Sequence, residues 1–86
     1  MEKITSRKNT VVAQFRTLAK DADARTESGE FVCDGAKMLA EALASGQEIT
    51  SVLWRAGREK QAEGFSLPCC PQSVAAEEVF DYAKPK

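Results

Sequence analysis

The chain has 86 residues, 43% hydrophobic and 29% charged, with a net charge of −1, three cysteines and no histidine. That describes one small, ordinary globular domain rather than a disordered chain, with a total stability of only a few kcal/mol. No apolar run approaches the roughly 18 residues of a membrane span, and the first ten residues lack the apolar stretch of a secretory signal.

Ile4, Thr5, Ser6, Arg7, Lys8 and Asn9 form a short lead-in segment. Asn9 is a good N-cap for a first helix over residues 10–21, with Val11, Phe15, Leu18 and Ala22 on one face and Arg16 and Lys20 on another. Residues 23–29 read as a polar connection. Residues 29–46, GEFVCDGAKMLAEALASG, then organise the chain. Phe31, Val32 and Cys33 are strand-prone. Asp34 is placed to cap the following helix, and Gly46 is placed to end it. A second strand-like run follows over residues 49–54. Strand, helix and strand predict a right-handed βαβ crossover with parallel strands between Phe31 and Trp54.

Beyond Trp54, residues 55–64 are polar and read as one short exposed helix weakened by Gly57. Residues 65–68 read as a third strand at a sheet edge, because Pro68 cannot donate to a ladder. Pro71, Gln72 and Ser73 read as a turn, with Ser73 capping a last helix over 74–83 that buries Val79, Phe80 and Ala83 or Ala76. Lys84, Pro85 and Lys86 look like the start of a linker. The expected fold class is α/β, a small three-layer α/β/α sandwich with a mostly parallel sheet of three to four strands.

The residue types exclude much chemistry. Without histidine the commonest general base is missing, and no paired acids replace it. Cys33, Cys69 and Cys70 have no metal-site or disulfide-framework spacing, and they read as reduced, buried thiols of a cytoplasmic protein. Charge is uneven. Residues 1–25 hold six basic and three acidic side chains, a balance of +3, and the remainder holds six basic and ten acidic ones, a balance of −4. This points modestly to a polyanion at the N-terminal face, and equally to a solvated helix.

Several pieces occur in an order that resembles the N-terminal substrate-binding domain of the SpoU/TrmH family of RNA ribose 2′-O-methyltransferases. Ile4, Ser6 and Asn9 match its I-x-S-x-x-N opening before a basic helix. Arg25, Gly29 and Phe31 match an Arg shortly before a Gly-x-Phe strand start. Asp34 and Gly35 stand where the family usually has Glu-Gly, with Lys37 the basic residue that follows. Ala42, Leu43 and Gly46 match the helix end, and Thr10 stands where the family often has proline. The resemblance runs from Ile4 to about Lys84.

The resemblance implies an RNA-recognition domain over residues 1–83, of the ribosomal-protein type that binds kinked RNA. It has no activity of its own, and residues 84–86 begin a linker to a separate catalytic domain. That domain would bind S-adenosylmethionine, carry a knot and dimerise. The implied partners are structured ribosomal or transfer RNA and the protein's own catalytic domain, with no membrane. Candidate RNA contacts are Ser6, Arg7, Lys8, Asn9, Arg16, Lys20, Arg25 and Lys37; no catalytic, cofactor or metal residue is expected in this chain. Each has a plainer role as a surface charge or, for Ser6 and Asn9, as a helix cap. Trp54 and Phe65 are read as core or interface rather than as base-stacking platforms. A protein-interaction module using Trp54 and the Pro68–Pro71 edge is the alternative.

Overall fold

The structure, a computed structural model, describes residues 1–65, 67 and 70–85. Its elements are β1 (Glu2–Ile4), α1 (Thr10–Lys20), α2 (Ala22–Ser28), α3 (Ala36–Ala44), β2 (Val52–Arg55), a 3₁₀ segment (Glu59–Gly64), β3 (Gln72–Ala75) and α4 (Glu77–Ala83). The three strands form an open, all-parallel sheet in the order β1-β3-β2. The chain is thus a small α/β domain, and the last strand in sequence is the central one.

Register divides the side chains between the two faces of the sheet. Ile4 pairs with Ala75, and Leu53 pairs with Ser73 two residues away on the same side. That face carries the main core: Ile4, Val12, Ala75, Val79 and Ala83 are buried, with Phe15, Leu53, Phe80 and Tyr82 packed around them. Helices α1 and α4 pack on each other to cover it. On the opposite face Trp54 pairs with Val74 and is 6% exposed. Its Nε1 donates to Gln72 Oε1 at 2.9 Å, and its ring lies 6.0 Å from that of Phe65. Trp54 is core, as the sequence predicts, and it does not present a face to a partner.

Helix α1 begins as expected. Asn9 Oδ1 accepts the Val11 N–H at 2.8 Å, satisfying an otherwise orphaned donor. Its most buried residue is Val12 rather than Val11, so the inward stripe sits one residue round from the predicted one. Gly46 ends α3 as predicted. Its φ is 75°, and Gly46 and Gln47 donate back to Leu43 O and Ala42 O, the paired bonds of a Schellman turn. Helix α4 buries Val79 and Ala83.

Other expectations need correction. Residues 31–33 form no strand, and Phe31 is 66% exposed, so the predicted βαβ unit has its helix and second strand but not its first. Asp34 does not cap α3: the N-cap is Gly35, with no side-chain hydrogen bond. The connection over 23–29 is largely helix α2. Asp21 caps it by accepting from Asp23 N at 2.9 Å and Ala24 N at 3.3 Å, and Gly29 closes it. The exposed helix expected over 55–64 is a 3₁₀ segment that starts only at Glu59.

Near the C-terminus the predicted turn at Gln72 and Ser73 is the central strand, and α4 starts at Glu77, not Val74. Ser73 is buried in the sheet instead of capping a helix. The strand predicted over 65–68 falls partly on Ser66 and Pro68, outside the described residues; Phe65 and Leu67 belong to no strand. Ile4, expected to open a short lead-in segment, instead ends a strand, Glu2–Ile4, for which β3 is the parallel partner.

Candidate polyanion-binding face

The candidate residues come together at one place and are scattered at two others. Ser6 and Asn9 bracket a tight turn: Ser6 Oγ accepts from Lys8 N at 3.1 Å, and Asn9 N donates to Ser6 O at 3.2 Å. Both therefore act as local caps. The turn holds the exposed Arg7 and Lys8 at the start of α1. Arg7 reaches over the Tyr82 ring, its guanidinium carbon 4.9 Å from the centroid.

Arg16, two turns further along α1, meets the same ring at 3.9 Å and donates from Nη1 to Tyr82 O at 2.7 Å. That carbonyl lies in the last turn of α4, where backbone acceptors lack helical partners and the helix dipole favours a cation. Arg16 therefore pins α1 to α4 while its guanidinium shares the Tyr82 ring with that of Arg7. Lys84 adjoins this group in sequence, and its Nζ is 3.5 Å from Asp81.

The remaining candidates lie elsewhere. Lys20 is exposed at the end of α1, about 15 Å from its start at 1.5 Å per residue. Arg25 on α2 donates to Leu18 O at 2.8 Å and ties α2 back onto α1. Lys37 is exposed in the first turn of α3. Arg16 and Arg25 thus have structural duties that the sequence does not reveal, whereas Arg7, Lys8, Lys20 and Lys37 belong to no ion pair among the described residues.

Tyr82 was missed by sequence reasoning. It is the single tyrosine, and it falls beside the apparent linker. No local spacing reveals a partner 66 residues away.

A second charged group lies on the far side of α4. Arg55 Nη2 donates to Asp81 at 2.7 Å, its Nη1 is 3.7 Å from Glu77, and its guanidinium covers the Phe80 ring at 4.6 Å. The hydrogen bond from Arg55 is the main cause that holds the Asp81 carboxyl below its ordinary value of 3.8; desolvation opposes it, and the charges of Arg55 and Lys84 add to it. A lowered carboxylate pKa contributes stability above the unfolded value and loses it as pH falls through the folded one. Asp81→Asn is therefore expected to flatten the loss of stability below about pH 4, measured by thermal melts across pH 3–7. The effect is small because Asp81 is exposed to solvent.

The thiols differ from the expected buried set. Cys33 is exposed, Cys70 is half-buried with burial pushing its thiol up, and Cys69 lies outside the described residues. Among the described residues no helix is long and apolar enough to cross a membrane. No family model, no curated protein and no solved structure matches the chain.

Proposed function

We propose that the chain is an RNA-recognition domain of the kind that presents a ribose to a SpoU/TrmH-like 2′-O-methyltransferase domain. The observation that carries this reading is the convergence of Arg7 and Arg16 on the Tyr82 ring, with Lys8 on the adjoining turn. Phosphates are held by several cations converging on one surface, and a guanidinium fixed in plane can grip one with two parallel bonds. The order of the motifs from Ile4 to Lys84 supplies the choice of RNA.

In this reading the domain holds structured ribosomal or transfer RNA by phosphate and sugar contacts, because side chains read the deep groove of A-form RNA poorly. Lys20 and Lys37 extend the contact along α1 and toward α3. The finer architecture, a three-layer sandwich of the kink-binding ribosomal-protein type, belongs to the same proposal. So do a cytoplasmic location and a separate catalytic domain that binds S-adenosylmethionine, dimerises and performs the transfer.

The test is fluorescence anisotropy with a structured ribosomal RNA fragment over a salt series. Binding in about the micromolar range, weakening tenfold or more between 50 and 200 mM salt, is the expected result; three to four neutralised phosphates give a slope of roughly −3. Absence of binding at low salt removes the reading. A dimer by light scattering in that case favours a protein-contact module, for which the exposed Phe31 and Met38, rather than Trp54, are the available apolar side chains.

A further inference from the structure

The sheet has two free edges, and they are guarded differently. β1 is short, and its exposed Glu2 and Lys3 put charge along the free side, which discourages pairing with another chain. β2 has no such guard. Its one charged residue, Arg55, is drawn back over the Phe80 ring and onto Asp81. Val52 donates to Pro71 O at 3.0 Å and Ala56 to Ala75 O at 2.8 Å, so Val52, Trp54 and Ala56 turn their backbone groups toward β3. Alternate residues of a strand face opposite neighbours, so Ser51 and Leu53 turn theirs outward. Among the described residues the Leu53 N–H and C=O have no hydrogen-bond partner, although Leu53 is half-buried. Unpaired edge groups of this kind are the template on which an extended chain adds as a further strand.

The edge opens into a cleft of about 680 Å³, within the size range of ligand sites. Phe31, Val32 and Leu39 line it together with Leu53, and Phe31 is 66% exposed. Glu30, Asp34 and Glu48 also line it, and none of them is in an ion pair among the described residues. Of the cations on the lining, Arg55 and Lys84 are engaged by Asp81, which leaves Arg58. The cleft therefore combines an open strand edge, apolar walls and an excess of unpaired acid. A second copy of the chain brings the same excess of acid, so charge disfavours it as the occupant.

We propose that this cleft takes an extended peptide of another protein, in which apolar and polar residues alternate and basic residues stand at both ends. Its backbone bonds Ser51 and Leu53 on the outer edge of β2. Its apolar side chains lie against Phe31, Leu39 and Leu53, and its cations meet Glu30, Asp34 and Glu48. Residues 31–34 remain outside the sheet as a wall of the cleft. Main-chain bonds supply the affinity in this mode of recognition, and the alternate side chains supply the specificity. The proposal is independent of the RNA reading. None of Arg7, Lys8, Arg16 and Lys20 lines the cleft, and its free charge is of the sign that repels RNA.

The test is an NMR titration of the labelled full chain with the peptide acetyl-Lys-Val-Thr-Val-Thr-Lys-amide. The expected result is shifts of the Ser51, Leu53 and Arg55 amides that saturate by about 1 mM peptide, with exchange of the Leu53 amide slowed about tenfold. The same peptide N-methylated at every central residue should not bind, because it cannot complete a ladder. A peptide with glutamate in place of both lysines should bind about fivefold more weakly, as should the parent peptide to the doubly substituted Asp34→Lys, Glu48→Lys chain. Both substituted residues are exposed, so the variant keeps the fold. Absence of shifts at about 1 mM, or shifts centred away from β2, overturns the proposal. Equal binding of the N-methylated peptide overturns strand addition, and equal binding of the glutamate peptide overturns the basic occupant. A Leu53 amide that shifts with protein concentration in the peptide-free chain assigns the edge to a second copy and also overturns it.

Discussion

Replacing Trp54 with alanine is expected to cost about 3–5 kcal/mol, the usual range for emptying a large aromatic site. The whole fold of a chain this size is worth roughly 4–13 kcal/mol, so this one change removes a large share. At about 4–8 °C per kcal/mol the melting midpoint falls by about 12–40 °C. The size of the effect follows from geometry. Trp54 fills the sheet face opposite α1 and α4, where Val74 and Phe65 are its apolar neighbours and Gln72 receives its N–H. Alanine leaves a void and an unpaired Gln72 amide. Trp54→Phe keeps most of the volume but drops the hydrogen bond, so its cost should be a fraction of that of alanine. Circular dichroism melts check both, since the substitutions remove the only tryptophan.

The second large effect is on RNA. Reversing Arg7, Lys8, Lys20 and Lys37 together to glutamate changes the net charge by −8, from −1 to −9. Affinity for structured RNA at low salt should fall about a hundredfold or more, with a flatter salt dependence. These four side chains are exposed, and none is in an ion pair among the described residues, so the melting midpoint should move by only a few degrees. Arg16 and Arg25 behave differently. Each donates to a backbone carbonyl of a helix that it ties down, and losing a charged hydrogen bond of this kind costs about 1.5–3 kcal/mol. Arg16→Glu and Arg25→Glu should therefore lower the melting midpoint as well as the affinity, and their binding data alone would mislead. A fourfold variant that binds as tightly as the parent rules out the basic face.

What was legible in the sequence was mostly local. Asn9, Gly46 and the alanine-rich run between Ala36 and Ala44 declare helix ends and helix interior through side-chain and backbone chemistry within a few residues. The α/β class follows from such segments. Strands were harder, because a parallel strand here is three or four residues long and is chosen by its partner. Gln72, Ser73, Val74 and Ala75 are strand residues because β1 and β2 flank them, and nothing local separates them from a turn and a helix start. The acidic pair Glu77 and Glu78 was the better signal for where α4 begins, since acids suit a first turn. Residues 31–33 have strand propensity without strand pairing. At the candidate site the cations were visible, but their division into free and pinned ones was not. Arg16 and Arg25 are fixed by backbone oxygens, which every residue carries and no motif records.

The position of β3 also constrains how the molecule is made. Both sheet pairings wait for residues 72–75, because β1 and β2 touch only through the strand between them. During synthesis the first three helices and two would-be edge strands leave the ribosome before any sheet can exist. The β1–β3 pairing then closes a loop of about 70 residues, a non-local contact whose entropy is spent before it is rewarded. The domain is thus assembled from its last quarter inward. A chain cut short before Gln72 would keep the basic residues of α1 but lose Tyr82, the core side chains Ala75, Val79 and Ala83, and the strand that joins its two edges.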